Sequence, residues 1–258
     1  MRGFLFFVFN YYPLRYTASE QKTSLVTNAK FEVVFDEGFY DFREYPTTGE
    51  VFRDAAANLV FNPENLGRQR PLFDEPSEAE YIVITSNALS SYFEPLTDWE
   101  MQKGVTSEIV TVESIESSYP GTNTQAKIKN CILDYAMNKG SICVLLGGDN
   151  TIIPDYDCYC YVNNDNPPYD PDYTNPADIY YTGLDGTDPT DWNLDGDDKQ
   201  GEPYVDGVDL YPDVIATRAG LRTSDDVTAF VNKTLNYEQN PPTSDSRGRS
   251  AISVQSLG

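Results

Sequence analysis

Two periodicities alternate between residues 81 and 149. An apolar run, Tyr81-Ile82-Val83-Ile84-Thr85, is followed by a stripe at helical spacing: Leu89, Tyr92, Phe93, Leu96 and Trp99. That stripe stops at Lys103-Gly104. A second run, Glu108-Ile109-Val110-Thr111-Val112, leads to a second stripe, Ile128, Cys131, Ile132 and Tyr135, which stops at Lys139-Gly140. A third run, Cys143-Val144-Leu145-Leu146, ends in Gly147-Gly148-Asp149. Short runs alternating with longer 3.6-residue stripes predict strand, helix, strand, helix, strand around a parallel sheet. Lys then Gly at each helix end places a cation on the last carbonyls and a residue free to take positive φ after them. The runs barely alternate, so both faces of the sheet are expected to be covered. Ligands of such sheets sit beyond the carboxyl ends of the strands, where Gly147-Gly148-Asp149 falls.

The pattern is weaker on either side. Residues 4–9 and 29–35 read as two strands around a turn-rich middle at 16–24. Phe31, Val33 and Phe35 alternate as in a half-buried antiparallel sheet. Residues 36–80 read as a connector, with a short helix at 51–60 and a surface stretch at 62–76 that carries Arg68 and Arg70. Beyond the loop, residues 213–217 predict a further strand. Thr223-Ser224-Asp225-Asp226 then opens a helix with a capping-box pattern, and Val227, Phe230, Val231 and Leu235 form its buried stripe. Ala251-Ile252-Ser253-Val254 begins another strand, close enough to Gly258 to suggest truncation.

Periodicity dissolves from 151 to 210, a stretch of Asp, Asn, Pro, Tyr and Gly far longer than loops in compact domains. Something must offset its ordering entropy. Asp191-Trp192-Asn193-Leu194-Asp195-Gly196, followed by Glu202, matches D-x-[DN]-x-[DN]-G-x5-E, the pattern of a calcium loop. Asp191, Asn193, Asp195, Asp197 and Glu202 then supply hard oxygens around one cation, with Gly196 at the bend. Asp197 sits where such a loop normally offers a backbone carbonyl. Asp198 sits where an apolar residue is usual, and no clear amphipathic helix flanks the loop, so calcium is expected without EF-hand helices. Asp178, Asp185 and Asp188 are candidates for a second metal site. Asp149 is a candidate for the same role or for anchoring the loop.

Composition narrows the chemistry. Among 258 residues, 41 acidic against 18 basic give a net charge of −23, which repels phosphate backbones and argues against nucleic-acid partners. No stretch reaches the roughly 20 apolar residues that span a bilayer. The six-residue apolar run at the N-terminus is short for a signal peptide, lacks a small-residue cleavage site, and reads as a strand. Cys131 lies on a helix stripe and Cys143 opens a buried strand, so both read as core residues. Cys158-Tyr159-Cys160 lacks two further ligands at zinc spacing. The sequence contains no histidine. A thiol peptidase needs a base beside its cysteine, so this chain alone is expected to be inactive.

An ordered set of segments resembles the gingipain-type cysteine peptidases. They are Phe93-Glu94-Pro95-Leu96-Thr97-Asp98-Trp99, Gln102-Lys103-Gly104, Ile109-Val110-Thr111-Val112, and Val144-Leu145-Leu146-Gly147-Gly148-Asp149 with Ile153-Pro154. Asp209-Leu210-Tyr211-Pro212-Asp213-Val214 and Phe230-Val231-Asn232-Lys233 with Tyr237-Glu238 follow in the same order. The resemblance implies an α/β fold, with a caspase-like or flavodoxin-like parallel-centred sheet, flanking helices and a small β-rich N-terminal segment before it. It implies three parts: the tail of a pro-segment at 1–37, a connector at 38–78, and the N-terminal part of a peptidase domain at 79–258 with the acidic insertion at about 151–210. It further implies a secreted or cell-surface endopeptidase acting on protein or peptide, with its catalytic His and Cys downstream of this chain. The alternative is a secreted calcium-binding or adhesion module that kept the fold without the catalytic pair.

Overall fold

The structure, a computed structural model, describes residues 11–28, 30, 50–61, 63, 77–160, 173–184, 192–197, 199–202, 205–208 and 210–241. A parallel sheet lies at its centre. Its strands are β3 (Tyr81–Thr85), β4 (Ser107–Thr111), β5 (Cys143–Gly147) and β8 (Ile215–Ala219), in the order β4-β3-β5-β8. Val83 pairs with Ile109 on one side and Leu145 on the other, and Leu145 pairs in turn with Thr217. The first strand sits inside and the second outside, as in flavodoxin-like sheets.

Side chains alternate between the two faces, and each face has its own core. Val83, Leu145 and Ala219 pack against α2 (Asn87–Gln102) and α5 (Ser224–Gln239) through Leu89, Phe93, Leu96, Val227 and Val231. Ile82, Ile84, Val110, Val144 and Leu146 pack against α3 (Val112–Ser118) and α4 (Thr124–Asp134) through Ile115, Ile128, Cys131 and Ile132. The connection from β3 to β4 runs one way along the sheet and that from β4 to β5 runs back. Crossovers of one hand require opposite faces for those two directions, and the helices lie accordingly.

Local chemistry sets the element ends. Gly104 and Gly140 both take positive φ, +92° and +74°, directly after the lysines that precede them. The run expected to be strand through Val112 ends one residue earlier. Thr111 turns instead into the N-cap of α3, its hydroxyl accepting from the Ser114 N–H. α4 ends in a widened π turn at Tyr135–Lys139. There the Tyr135 hydroxyl and the Lys139 ammonium both reach the Glu108 carboxylate on β4. The capping box of α5 is present, with the Thr223 and Asp226 side chains each serving the other's backbone. β8 begins two residues later than the sequence pattern suggests.

Two expectations need correction. Of residues 16–24 only 18–21 form a turn. The stretch belongs to an antiparallel hairpin, β1 (Leu14–Thr17) and β2 (Lys22–Leu25), with Leu14 opposite Leu25. Tyr and Thr suit strands, and Gln21 takes the positive φ of the turn. The strands expected at 4–9 and 29–35 fall outside the described residues, apart from Lys30. The region from 151 to 210 is also more regular than its composition suggests. It contains a second antiparallel hairpin, β6 (Tyr156–Cys160) and β7 (Tyr173–Ala177), and a 3-10 turn at Ile179–Tyr181. Tyr156, Tyr180 and Trp192 join the core on the α4 face, so aromatic burial offsets ordering there. The short helix expected in the connector is α1 (Glu50–Leu59), with Phe52 and Ala56 buried.

Candidate functional site

The carboxyl ends of β3 and β5 flank the point where the connections diverge, the usual ligand position in open α/β sheets. Here that position is filled from within. The buried Thr85 hydroxyl donates to the Gly147 carbonyl at 2.6 Å. A Cβ on Gly147 would lie 2.7 Å from the Phe93 ring, and one on Gly148 would lie 2.8 Å from Ile152. These glycines admit the protein's own side chains.

Charge is arranged just beyond. Asp149 Oδ1 accepts from the backbone N–H and the hydroxyl of Thr151, at 3.0 and 2.6 Å, and Oδ2 accepts from Arg222 Nε. The Thr151 hydroxyl first, and then Arg222, hold the Asp149 carboxyl down at about 2. Asp178 meets Arg218 in a two-point pair, 2.8 Å to Nε and 2.6 Å to the second guanidinium nitrogen. The third nitrogen of Arg218 donates to the carbonyls of Gly148 and Ile153, at 3.0 and 2.7 Å. Asp149 and Asp178, considered as one second metal site, thus each face their own arginine. They tie the β5 exit to β8 and to the β6–β7 hairpin. Asp185 and Asp188 lie outside the described residues.

The acidic loop is built differently. Trp192 is buried, edge-on to Tyr156 and Tyr180, which stack on each other with centroids 3.8 Å apart. Lys129 of α4 is buried beside them, its ammonium 4.5 Å from the Tyr180 centroid. From this anchor the loop turns outward, and one carboxylate gathers it. Asp206 Oδ1 accepts from Leu194 N–H at 2.7 Å, and Oδ2 accepts from Gly201 and Glu202 N–H, both at 2.8 Å. Gly201 N–H also reaches the Trp192 carbonyl, and Tyr159 N–H of β6 reaches the Gln200 carbonyl.

Within that frame one carboxylate oxygen from each of Asp195, Asp197 and Glu202 lies within 4.8 Å of the others. The Asn193 amide donates to the Asp197 carbonyl at 2.8 Å, while its Oδ1 is buried and accepts no hydrogen bond. Buried polar atoms normally have partners. An orphaned carbonyl oxygen in the same loop as three clustered carboxylates is the kind of donor that suits a hard divalent cation. Asp191, the first residue of the motif, lies outside the described residues. Among the described residues no helix flanks the loop.

Neither Cys131 nor Cys158 is activated. Burial pushes the Cys131 thiol up to about 12. Burial and then the Asp157 charge push Cys158 up to about 11. A nucleophilic cysteine needs the opposite shift.

Sequence reasoning grouped Asn193, Asp195, Asp197 and Glu202, of which the structure brings the three carboxylates together, but missed Asp206, Arg218 and Lys129. Asp206 and Arg218 carried faint signals: a carboxylate between Val205 and Gly207, and a cation inside an apolar strand.

The fold and these sites together define a three-layer α/β domain whose strand-end turns are clamped by arginine–aspartate pairs and which carries a carboxylate-rich loop. The model of Peptidase family C25 matches residues 74–256, and the chain belongs to that family. Similar solved structures include a chain described as a protease, at 16% identity and TM-score 0.45, covering 66% of this chain and 30% of that one. A complex of the pro- and mature domains of RgpB from Porphyromonas gingivalis shows 19% identity and TM-score 0.41, covering 62% and 29%. Dimeric latent PorU from the same organism shows 15% and 0.47, covering 66% and 16%. The chain spans less than a third of the length of each. No curated protein matches it.

Proposed function

We propose that this chain is the N-terminal part of a secreted gingipain-like cysteine endopeptidase that cleaves protein substrates. Membership of the family over residues 74–256 is the observation that carries this reading. The chain has no histidine and its Cys131 and Cys158 thiols are raised, so this reading assigns the catalytic pair to residues beyond this chain. The part described supplies scaffold and one wall of the substrate cleft. Among the described residues no helix is long and apolar enough to cross a membrane.

Calcium belongs to the same reading. Asn193, Asp195, Asp197 and Glu202, with Asp191, would hold it, and bound calcium would neutralise clustered carboxylates and cross-link the loop. The ion's role here is structural.

The test is turnover of a mixed peptide library, with reductant and calcium, by this chain and by the chain joined to its downstream coding sequence. Turnover by the longer protein alone is expected. Turnover by the short chain, lost on alkylation of Cys158 or Cys160, would overturn the assignment.

A further inference from the structure

Two Asp-Gly pairs stand close together in the described loop, and the fold treats them in opposite ways. Asp195 and Gly196 are both exposed, and Gly196 takes φ +75° with nothing within 4 Å of where a Cβ would sit. Asp195 has one weak partner: Oδ1 accepts from the Asp197 N–H at 3.3 Å. That contact folds the carboxyl back along the chain, past Gly196, to the backbone of Asp197. Asp206 is held by three backbone N–H groups at 2.7 to 2.8 Å, one on Oδ1 and two on Oδ2. Its carboxyl points toward residues 194, 201 and 202 and is not free to turn toward Gly207.

We propose that Asp195-Gly196 is a site of spontaneous conversion to isoaspartate and that Asp206-Gly207 is protected by its own hydrogen bonds. The Gly196 nitrogen attacks the Asp195 side-chain carbonyl carbon. A bond forms between them, and the hydroxyl of the protonated carboxyl leaves as water with the amide proton, closing a five-membered succinimide. Water then adds back. Opening at the former backbone carbonyl leaves the chain running through the side-chain carbon. One water is lost and one regained, with no change in oxidation state. Glycine favours the step because it has no side chain to hinder the attacking nitrogen and is conformationally free. Exposure supplies the water. The new linkage lengthens the backbone by one carbon and moves the carboxylate off the offset at which it faces Asp197 and Glu202. On the cation reading proposed above, conversion therefore ends metal binding, whereas the conversion itself does not depend on that reading.

The experiment is ageing of the folded chain at neutral pH, with calcium and with chelator, followed by peptide mapping and isoaspartyl methyltransferase labelling. Isoaspartate at Asp195 should exceed that at Asp206 several-fold. In the urea-denatured chain the two should converge. Asp195→Glu, which disfavours the five-membered ring, should lose the signal at that site alone. Equal or faster conversion at Asp206 in the folded chain would overturn the proposal. So would silence at Asp195 under conditions in which the denatured chain converts both. Slower conversion at Asp195 with calcium supports the cation reading. Equal rates with and without calcium leave the modification site standing and count against the cation.

Discussion

The sheet and the acidic loop reach order by different physics. In the sheet, Ile82, Val83 and Ile84 of β3 are each fully buried, on alternating faces, and hydrophobic burial carries the stability. In the loop the described apolar anchor is Trp192. Around it, order comes from one carboxylate gathering three N–H groups, and three more carboxylates crowd together where the sheet strands carry the single carboxylate of Glu108. A hydrophobic core is indifferent to ions, whereas a carboxylate-gathered loop responds to cations and to proton concentration. The two regions should therefore fail under different stresses.

The largest contrast is in side-chain deletion. Ile128→Ala empties a fully buried position between α4 and the sheet, and should cost about 2–5 kcal/mol. Leu194→Ala, at an exposed loop position, should stay within about 0.5 kcal/mol. Urea midpoints at constant slope check both, and equal losses would end the distinction. Arg218→Met comes next. It strands the half-exposed Asp178 and frees two carbonyls, at a cost of about 1.5–3 kcal/mol. Hydrogen exchange should accelerate in β6 and β7 and stay slow in β3.

Calcium should act on the loop and leave the core packing alone. At a hundredfold excess over its dissociation constant it should add about 2.7 kcal/mol. Thermal unfolding of the wild type should shift upward. Asp195→Ala with Glu202→Gln should not respond, and magnesium should substitute poorly. An unchanged wild-type melting temperature removes the cation from this account. Asp206→Ala should lower stability by about 1–3 kcal/mol through its freed N–H groups and should weaken the calcium response with them.

The smallest effect is acid loss at Asp149. Its folded pKa, about 2, lies below the ordinary carboxylate value of 3.8. Ionised Asp149 therefore contributes stability that is fully present above about 4 and is lost as pH falls toward 2. Asp149→Asn should flatten that part of the acid-unfolding profile by lowering neutral stability toward its acid value. A wild-type acid limb retained in the variant would assign it to other carboxylates.

What the sequence determined by itself is the sheet and its crossovers. Apolar runs, helical stripes and Lys-Gly stops are local signals, and for a sheet covered on both faces they admit few arrangements. The acidic motif was also local, which is why Asp195, Asp197 and Glu202, whose carboxylates the fold brings within 4.8 Å of one another, could be grouped from spacing alone. Only the tertiary structure decided that Asp178 and Asp149 answer to Arg218 and Arg222, 40 and 73 residues away. The same holds for Asp206 as the organiser of the loop, for Trp192 packing on Tyr156 and Tyr180, and for a hairpin at 156–177 inside a stretch that reads as irregular. Those pairings join groups with no shared periodicity. Their energy appears only when chain distant in sequence is brought together and water is excluded, so composition and spacing carry almost no trace of them.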